Sequence, residues 1–209
     1  MLKTEQTDFF DVVRNRHSVR HYDASYQMSE QQITELLEIA GSAPSSWNLQ
    51  HWKFLTITDR AAKEKLLPIA YGQKQIVESS VVAVLGDLEA NRNAEAVYGP
   101  AVEAGLMPEE VKANLIGQIE AAYANVPHVP RDEAIRNASL AAMQLMLAAK
   151  AKGLDSCPIG GFDAGRFVEA FGVPERYIPV VLITIGKAAV PARPSTRFPV
   201  EQTIVWNGF

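Results

Sequence analysis

The stretch from Ala138 to Ala149 is the most apolar in the chain, and it limits what the chain can become. It carries Ser139 and Gln144 and falls short of the roughly 20 apolar residues that a helix needs to cross a bilayer, so it predicts a buried core helix rather than a membrane span. The helical pattern runs from Arg131 to Lys152, with Gly153 as its stop. With 209 residues the chain is long enough to bury roughly 70% of the surface that its unfolded form exposes. A single cysteine, Cys157, excludes an intramolecular disulfide and any multi-cysteine metal site, which fits a reducing cytoplasm. Residues Met1 to Phe10 lack the apolar core of a signal peptide, so the sequon Asn137-Ala138-Ser139 is read as accidental.

Around that helix, hydrophobic spacing predicts a helix-rich α+β outline with three clear strands. Asp8 to Asn15 reads as a short amphipathic helix. Ser29-Glu30-Gln31-Gln32 is a capping box that opens a second helix, in which Ile33, Leu36, Leu37 and Ala40 share one face before Gly41 stops it. Strands are expected over Trp52–Thr58, over the fully apolar Val81–Leu85, and over Tyr177–Ile185. Asp59 caps a helix reaching to about Tyr71, a short helix spans Gln73 to Glu78, and Asp163 to Phe171 forms another that ends at Gly172. Residues 89–126 hold two helical segments broken near Met107-Pro108 and carry no strand signal. The C-terminal stretch, Val190 to Phe209, is apolar without a helical slot, and Gln202–Trp206 has the pattern of a strand. The whole reads as one domain over residues 1–209, with a helical excursion at 89–126 and an arm at 190–209 that packs on another subunit.

Charge separates the function classes. Lys and Arg number 20 against 24 Asp and Glu, a formal net charge of −4, which argues against a dedicated nucleic-acid binder. Within this acidic chain, Arg14, Arg16, His17, Arg20 and His21 crowd into eight residues together with Ser18. Arginine forks beside a hydroxyl suit a phosphate monoester, which needs charge neutralised and several hydrogen bonds donated at once; a solvated charge run at a helix end accounts for the spacing equally well. His17 and His21 stand four apart, as helical metal ligands can, but no further ligand completes a site.

Pro44-Ser45-Ser46-Trp47-Asn48-Leu49-Gln50 offers backbone donors and short polar side chains to a heteroaromatic ring, or simply caps its neighbours as a turn. Cys157-Pro158-Ile159-Gly160-Gly161-Phe162-Asp163 has paired glycines that let main chain approach a ligand. Gly160 and Gly165 share the outer spacing of a phosphate loop, but Arg166-Phe167 stands where Lys-Ser/Thr is required. Cys157 has no base nearby in sequence and is better read as a buried thiol than as a nucleophile. Arg193-Pro194-Ser195-Thr196-Arg197 is a second cationic loop. No catalytic triad, metal motif or evident acid–base pair is present, so no catalytic side chain is named and a cofactor is expected to carry any reaction.

Taken together, Arg16-His17-Ser18-Val19-Arg20, Pro44-Ser45-Ser46-Trp47-Asn48-Leu49-Gln50, Pro158-Ile159-Gly160-Gly161-Phe162-Asp163 and Arg197 in the tail resemble, in order and separation, the FMN-dependent nitroreductase family. The resemblance runs from Asp8 to Trp206. It implies an α+β fold with a central mixed β-sheet wrapped by helices, a domain-swapped homodimer, and FMN bound at the subunit interface with NADH or NADPH as electron donor. It further implies that Arg16, His17 and Ser18 hold the FMN phosphate and ribityl chain and that Arg20 reaches the ribityl and pyrimidine side. Pro44, Ser45, Ser46 and Asn48 would come from the partner subunit, main chain at Pro158, Ile159, Gly160 and Gly161 would face the ring near N5, and Arg197 would close on the phosphate. Two departures stand out: Gly160 occupies a position that is acidic in well-known relatives, and Gln73 or Gln75 stands where a lysine often reaches the pyrimidine edge. Serine at position 195 also replaces a second basic tail residue, for which Arg193 could compensate.

The activity implied is a ping-pong reduction of nitroaromatics, quinones or similar small-molecule oxidants in the cytoplasm, with neither nucleic acid nor membrane as partner. The alternatives are other redox chemistry of the same family, such as enone reduction or dehydrogenation, and a non-catalytic module that binds a phosphorylated ligand or nucleic acid.

Overall fold

A computed structural model describes residues 8–209, so the leader reading of residues 1–7 lies outside the described part of the chain. The apolar helix is α7 (Val129–Ala151) and it is the centre of the molecule. Its buried residues Ala134, Ala138, Ala141, Ala142, Leu145 and Ala149 recur at helical spacing, and most of them are alanine. Small side chains let the helix lie close on the sheet beneath it. A Cβ on Gly86 in that sheet would come to 2.8 Å from the carbonyl oxygen of Ala134.

The sheet has four strands in the order β1-β2-β4-β3, from β1 (Trp52–Ile57), β2 (Ser80–Asp87), β3 (Asp155–Ile159) and β4 (Tyr177–Gly186). All three pairings within it are antiparallel, and the parallel component is the single bridge from Ser18 to Ser156 on the outer side of β3. Central β2 is buried along its whole length, and its side chains alternate between two cores. Val82 and Val84, with Ile183 and Ile185, face α7 and α2 (Glu30–Gly41). Val81, Ala83 and Leu85, with Leu182, face the layer of α3 (Arg60–Ile69), α4 (Gln75–Glu78) and α8 (Ala164–Phe171). A sheet buried on both faces explains why β2 has no polar face in its sequence.

The local signals behave as expected. The Ser29 hydroxyl accepts from the Gln32 amide while the Gln32 side chain accepts from the Ser29 amide, completing the capping box. Asp8, Asp59 and Asp163 cap α1 (Phe9–Asn15), α3 and α8, and Gly172 closes α8 at φ +60°. The excursion is α5 (Ala94–Glu103) and α6 (Glu109–Asn125), with Pro108 at the start of α6. Both pack on the loop before β1 through a third small core of Leu49, Ala90, Ala94, Tyr98 and Ile119.

Two expectations are corrected. Strand β3 carries no strand signal in the sequence because Pro158 sits in it; at the sheet edge, where β4 is its one partner strand and the single bridge on the other side is at Ser156, a proline is tolerated. Gln202–Trp206 is not a strand: a 3₁₀ turn spans Val200–Gln202, and the residues that follow find no ladder to join. Its β-like pattern of Thr203, Ile204 and Val205 lacks a pairing edge within the same chain. Among the described residues, no helix is long and apolar enough to cross a membrane.

Candidate functional site

The cationic motif follows the end of α1 directly, Arg16 being its C-terminal cap. From there the chain runs beside the edge of the sheet: the Val19 amide donates to the Ser156 carbonyl (3.2 Å), and the Asp23 and Ala189 amides donate to the Lys187 and His21 carbonyls (both 2.9 Å). Residues 18–23 are thereby wedged between β3 and the start of the C-terminal arm. This placement brings Arg193 to the motif, and Ser18, Arg20, His21 and Arg193 line a cleft of about 610 Å³ with Val190 and Pro191.

The motif's donors are prepared for an acceptor. Arg16 Nη1, His17 Nδ1 and Ser156 Oγ are buried without a hydrogen-bond partner, which is costly unless a ligand or ordered water supplies one. Among the described residues, none of Arg16, Arg20, Arg193 and Arg197 is ion-paired with a carboxylate. Cys157 lies beneath, 2% exposed; burial pushes its thiol up, against the pull of Arg20, a hydrogen bond with Ser18 and the charge of Arg16. The buried-thiol reading of Cys157 is the one its surroundings support.

The diglycine segment joins the same site. Gly160 and Gly161 follow the end of β3, and the Gln73 side chain donates to the Gly161 carbonyl at 2.8 Å while Gln75 donates to Gln73 at 3.3 Å. The two glutamines thus tie the turn before α4 to this loop. A Cβ on Gly160 would touch nothing in this chain, so packing does not demand a glycine there. Pro158 is exposed and Ile159 buried.

The serine-rich loop is elsewhere. It enters β1 at Trp52, which registers through Gly86 to Ile178 on β4, whereas Ser156 registers to Ile185. Trp52 and Ser156, the sheet residues beside the two motifs, therefore sit at diagonally opposite corners, about 14 Å apart across the strands and about 23 Å along them. Pro44 and Asn48 are exposed, and Ser45 and Ser46 half-buried. Arg197 is also separate: its Nη1 donates to the neighbouring Thr196 carbonyl and the side chain lies out on the arm. Within one copy, Ser18 and the arginines around it lie beside Ser156 and Cys157 of β3, the same strand leads on to residues 158–161, where Gln73 and Gln75 join it, loop 44–50 lies on the β1 side, and Arg197 lies out on the arm.

Residues that sequence reasoning missed are Ser156, concealed in an unrecognised strand, and Glu133 and Asn137 on α7. Asn137 is 1% exposed, its side chain accepting from the Ser46 amide (2.9 Å) and donating to Glu133. Its burial closes the sequon to any enzyme. The one signal available was a polar residue on a face otherwise made of alanine. Among the described residues no cluster of three or more His, Cys, Asp or Glu could hold a metal.

Comparison with known proteins accounts for this arrangement. The profile of the nitroreductase family matches residues 13–187. The Bacillus subtilis protein YodC, provisionally named an NAD(P)H nitroreductase, is 52% identical over 201 residues, 96% of this chain and 99% of its own. A Lactiplantibacillus plantarum protein named CLA biosynthesis enone reductase is 32% identical over 197 residues, covering 91% of this chain and 90% of its own. Among solved structures, a protein from Exiguobacterium sibiricum 255-15, provisionally assigned as a nitroreductase and crystallised with FMN, superposes with a TM-score of 0.91 at 41% identity, covering 99% of this chain and all of that one. On the ordered motifs, the fold and these likenesses, the chain belongs to the nitroreductase family.

Proposed function

We propose that this chain is an FMN-dependent NAD(P)H oxidoreductase that works as a homodimer and reduces nitroaromatics, quinones or related acceptors. The observation that carries the reading is the pair of buried, unpartnered donors Arg16 Nη1 and His17 Nδ1 beside Ser18, Arg20 and Arg193, a set that fits a phosphate and its polyol chain. The residues fit FMN in a second respect. The space beside Gly160 is open on the chain's own account, and main-chain groups can approach a flat ring without a side chain between them.

Bound there, FMN would supply the redox chemistry, two-electron transfer from NAD(P)H to the acceptor in a ping-pong cycle. The chain's part is binding and orientation. Arg16, His17, Ser18 and Arg20 would hold the phosphate and ribityl chain; Gln73 holds the Gly161 carbonyl, and with it the loop that would face the ring. No side chain of this set is needed as an acid or base, because the cofactor does the hard chemistry and the protein tunes and shields it.

The diagonal separation of the two half-sites supports a dimer. Such a spacing is long for Pro44, Ser45, Ser46 and Asn48 to meet the same small molecule as Arg16 of one copy, and a second copy would supply them. The arm supports it too: Phe198, Trp206 and Phe209 are largely exposed in the single chain, and Leu140 and Met143 on α7 are partly so, at 44% and 41%; exposed apolar side chains that cluster mark surfaces a partner can cover. An arm laid on the partner would also carry Arg197 toward a phosphate that its own chain does not let it reach.

The test is direct. Purified protein should be yellow and should bleach on anaerobic addition of NADH or NADPH. A colourless preparation that takes up no FMN on reconstitution refutes the reading. The similarity to the enone reductase favours a second reading, in which the acceptor is an activated carbon–carbon double bond. Steady-state rates with a quinone, a nitroaromatic and an enone discriminate between acceptors, and failure of both nicotinamides to reduce the flavin would favour a metabolite dehydrogenation.

A further inference from the structure

The loop before β1 holds an improbable backbone. Trp47, Asn48 and Gln50 lie at φ +53°, +55° and +53°, in the left-handed region that non-glycine residues avoid, above all a bulky aromatic. Such a conformation persists only where its surroundings over-determine it. Three contacts hold the downstream half: the Tyr98 hydroxyl donates to the Trp47 carbonyl (2.7 Å), Asn93 to the Leu49 carbonyl (2.9 Å), and the Gln50 amide to Ser45 Oγ (2.9 Å).

The upstream half is held from α7. The Ser46 hydroxyl donates to Glu133 Oε2 at 2.5 Å and the Ser46 amide to Asn137 Oδ1 at 2.9 Å. Asn137 Nδ2 in turn donates to Glu133 Oε2 at 2.9 Å, and the other carboxylate oxygen accepts from the exposed Arg136. Glu133 is 9% exposed. Burial alone would raise its carboxyl, but the donors from Ser46, Asn137 and Arg136 prevail and keep it below the usual carboxylate range. Both donors of Ser46, amide and hydroxyl, are thus fixed by one helix, and Ser46 is the last residue before the left-handed turn. A buried carboxylate is an expensive way to fill space, and alanine fills the neighbouring positions of this face.

We propose that Glu133, acting through Ser46 and together with Asn137, is the positioning residue that locks loop 44–50 in its left-handed form and so presents Ser45, Ser46 and Asn48 ready-made to the cofactor held by a second copy. The inference rests on the functional reading above for its consequence, but not for the clamp itself. A loop ordered before the cofactor arrives costs nothing to order on binding. Glu133 touches neither cofactor nor substrate in this scheme.

The experiment uses full-length Glu133→Ala and Arg136→Ala beside the wild type. Hydrogen exchange of the peptide covering 44–51 in flavin-free protein reads the clamp; FMN affinity by fluorescence quenching reads its consequence. The loss of a charge-assisted bond predicts exchange of 44–51 faster by about tenfold or more and an FMN Kd raised by a similar factor in Glu133→Ala. Arg136→Ala, which leaves Ser46 held, should change either by less than about threefold. Unchanged protection of 44–51, or exchange raised equally in β2 and α8, overturns the proposal. Should Glu133→Ala fail to fold, Asn137→Ser carries the same test through the Ser46 amide, with the same outcomes for and against. If wild type takes up no FMN, the functional reading fails while the exchange data still decide on the clamp.

Discussion

Gly86 is where the sheet comes closest to α7, and replacing it with alanine measures how tightly the centre is built. The added Cβ would lie 2.8 Å from the Ala134 carbonyl oxygen, 2.9 Å from its carbon and 3.0 Å from its Cβ. Two of those atoms are backbone and cannot rotate away, so β2 or α7 must shift. Overpacking against backbone costs about 3 kcal/mol, the restricted unfolded chain returns about 0.4–1 kcal/mol, and the net loss is about 2 kcal/mol. For a chain of this length that lowers Tm by about 4–8 °C. Thermal unfolding of flavin-free protein followed by circular dichroism is the assay. Gly117→Ala is the internal control: Gly117 is exposed in the middle of α6 with nothing within 4 Å, so alanine there should stabilise by roughly 0.5–1 kcal/mol. Tm of Gly86→Ala within about 1 °C of wild type would show that α7 does not press on β2 as described. Because Ala134 adjoins Glu133, the same variant should also loosen loop 44–50, which hydrogen exchange would report.

Other outcomes follow from named contacts. Arg197→Ala should weaken FMN retention at least several-fold, and Arg193→Ala by a comparable factor, each read by flavin titration; unchanged affinity for Arg197→Ala would mean that the arm does not reach the phosphate. Gly160→Ala should leave Tm within about 1 °C yet weaken FMN binding, and a variant that binds FMN as wild type does would remove the ring from that loop. Tyr98→Phe frees the Trp47 carbonyl at a cost of about 1 kcal/mol, checked by urea unfolding. His51 is fully buried with neither ring nitrogen partnered, and burial lowers its pKa against the opposing pull of Glu133 and Asp87. As pH falls below about 6.5 the unfolded imidazole takes up a proton more readily than the folded one, so the folded state loses stability toward acid. His51→Leu should flatten the stability profile between about pH 5 and 7; an identical slope in both proteins would refute the assignment.

Much of the fold was legible because its signals are local. The capping box at Ser29, the aspartate caps, the stop at Gly172 and the period of α7 each depend on residues within a turn or two. Strand β3 was not legible, since a proline argues against a strand until one knows that the strand lies at an edge. The tail misled for the converse reason: Thr203, Ile204 and Val205 have β character, but pairing needs a partner that their own chain does not provide.

The motifs of the candidate site could be read one by one, because arginine forks, paired glycines and short polar loops announce their chemistry by residue type. Their assembly could not. Strand order, set by packing across the whole sheet, lays the Arg16 motif along β3, the strand that leads on to Gly160 and Gly161, and puts loop 44–50 on the β1 side. Glu133 lies 87 residues from Ser46, and nothing local in an alanine-rich helix announces that its carboxylate holds that serine. By itself the sequence determined the elements and the chemistry available, since both follow from neighbours along the chain. Which of those chemistries meet was decided only by tertiary structure, because burial and pairing act between residues that the sequence keeps far apart.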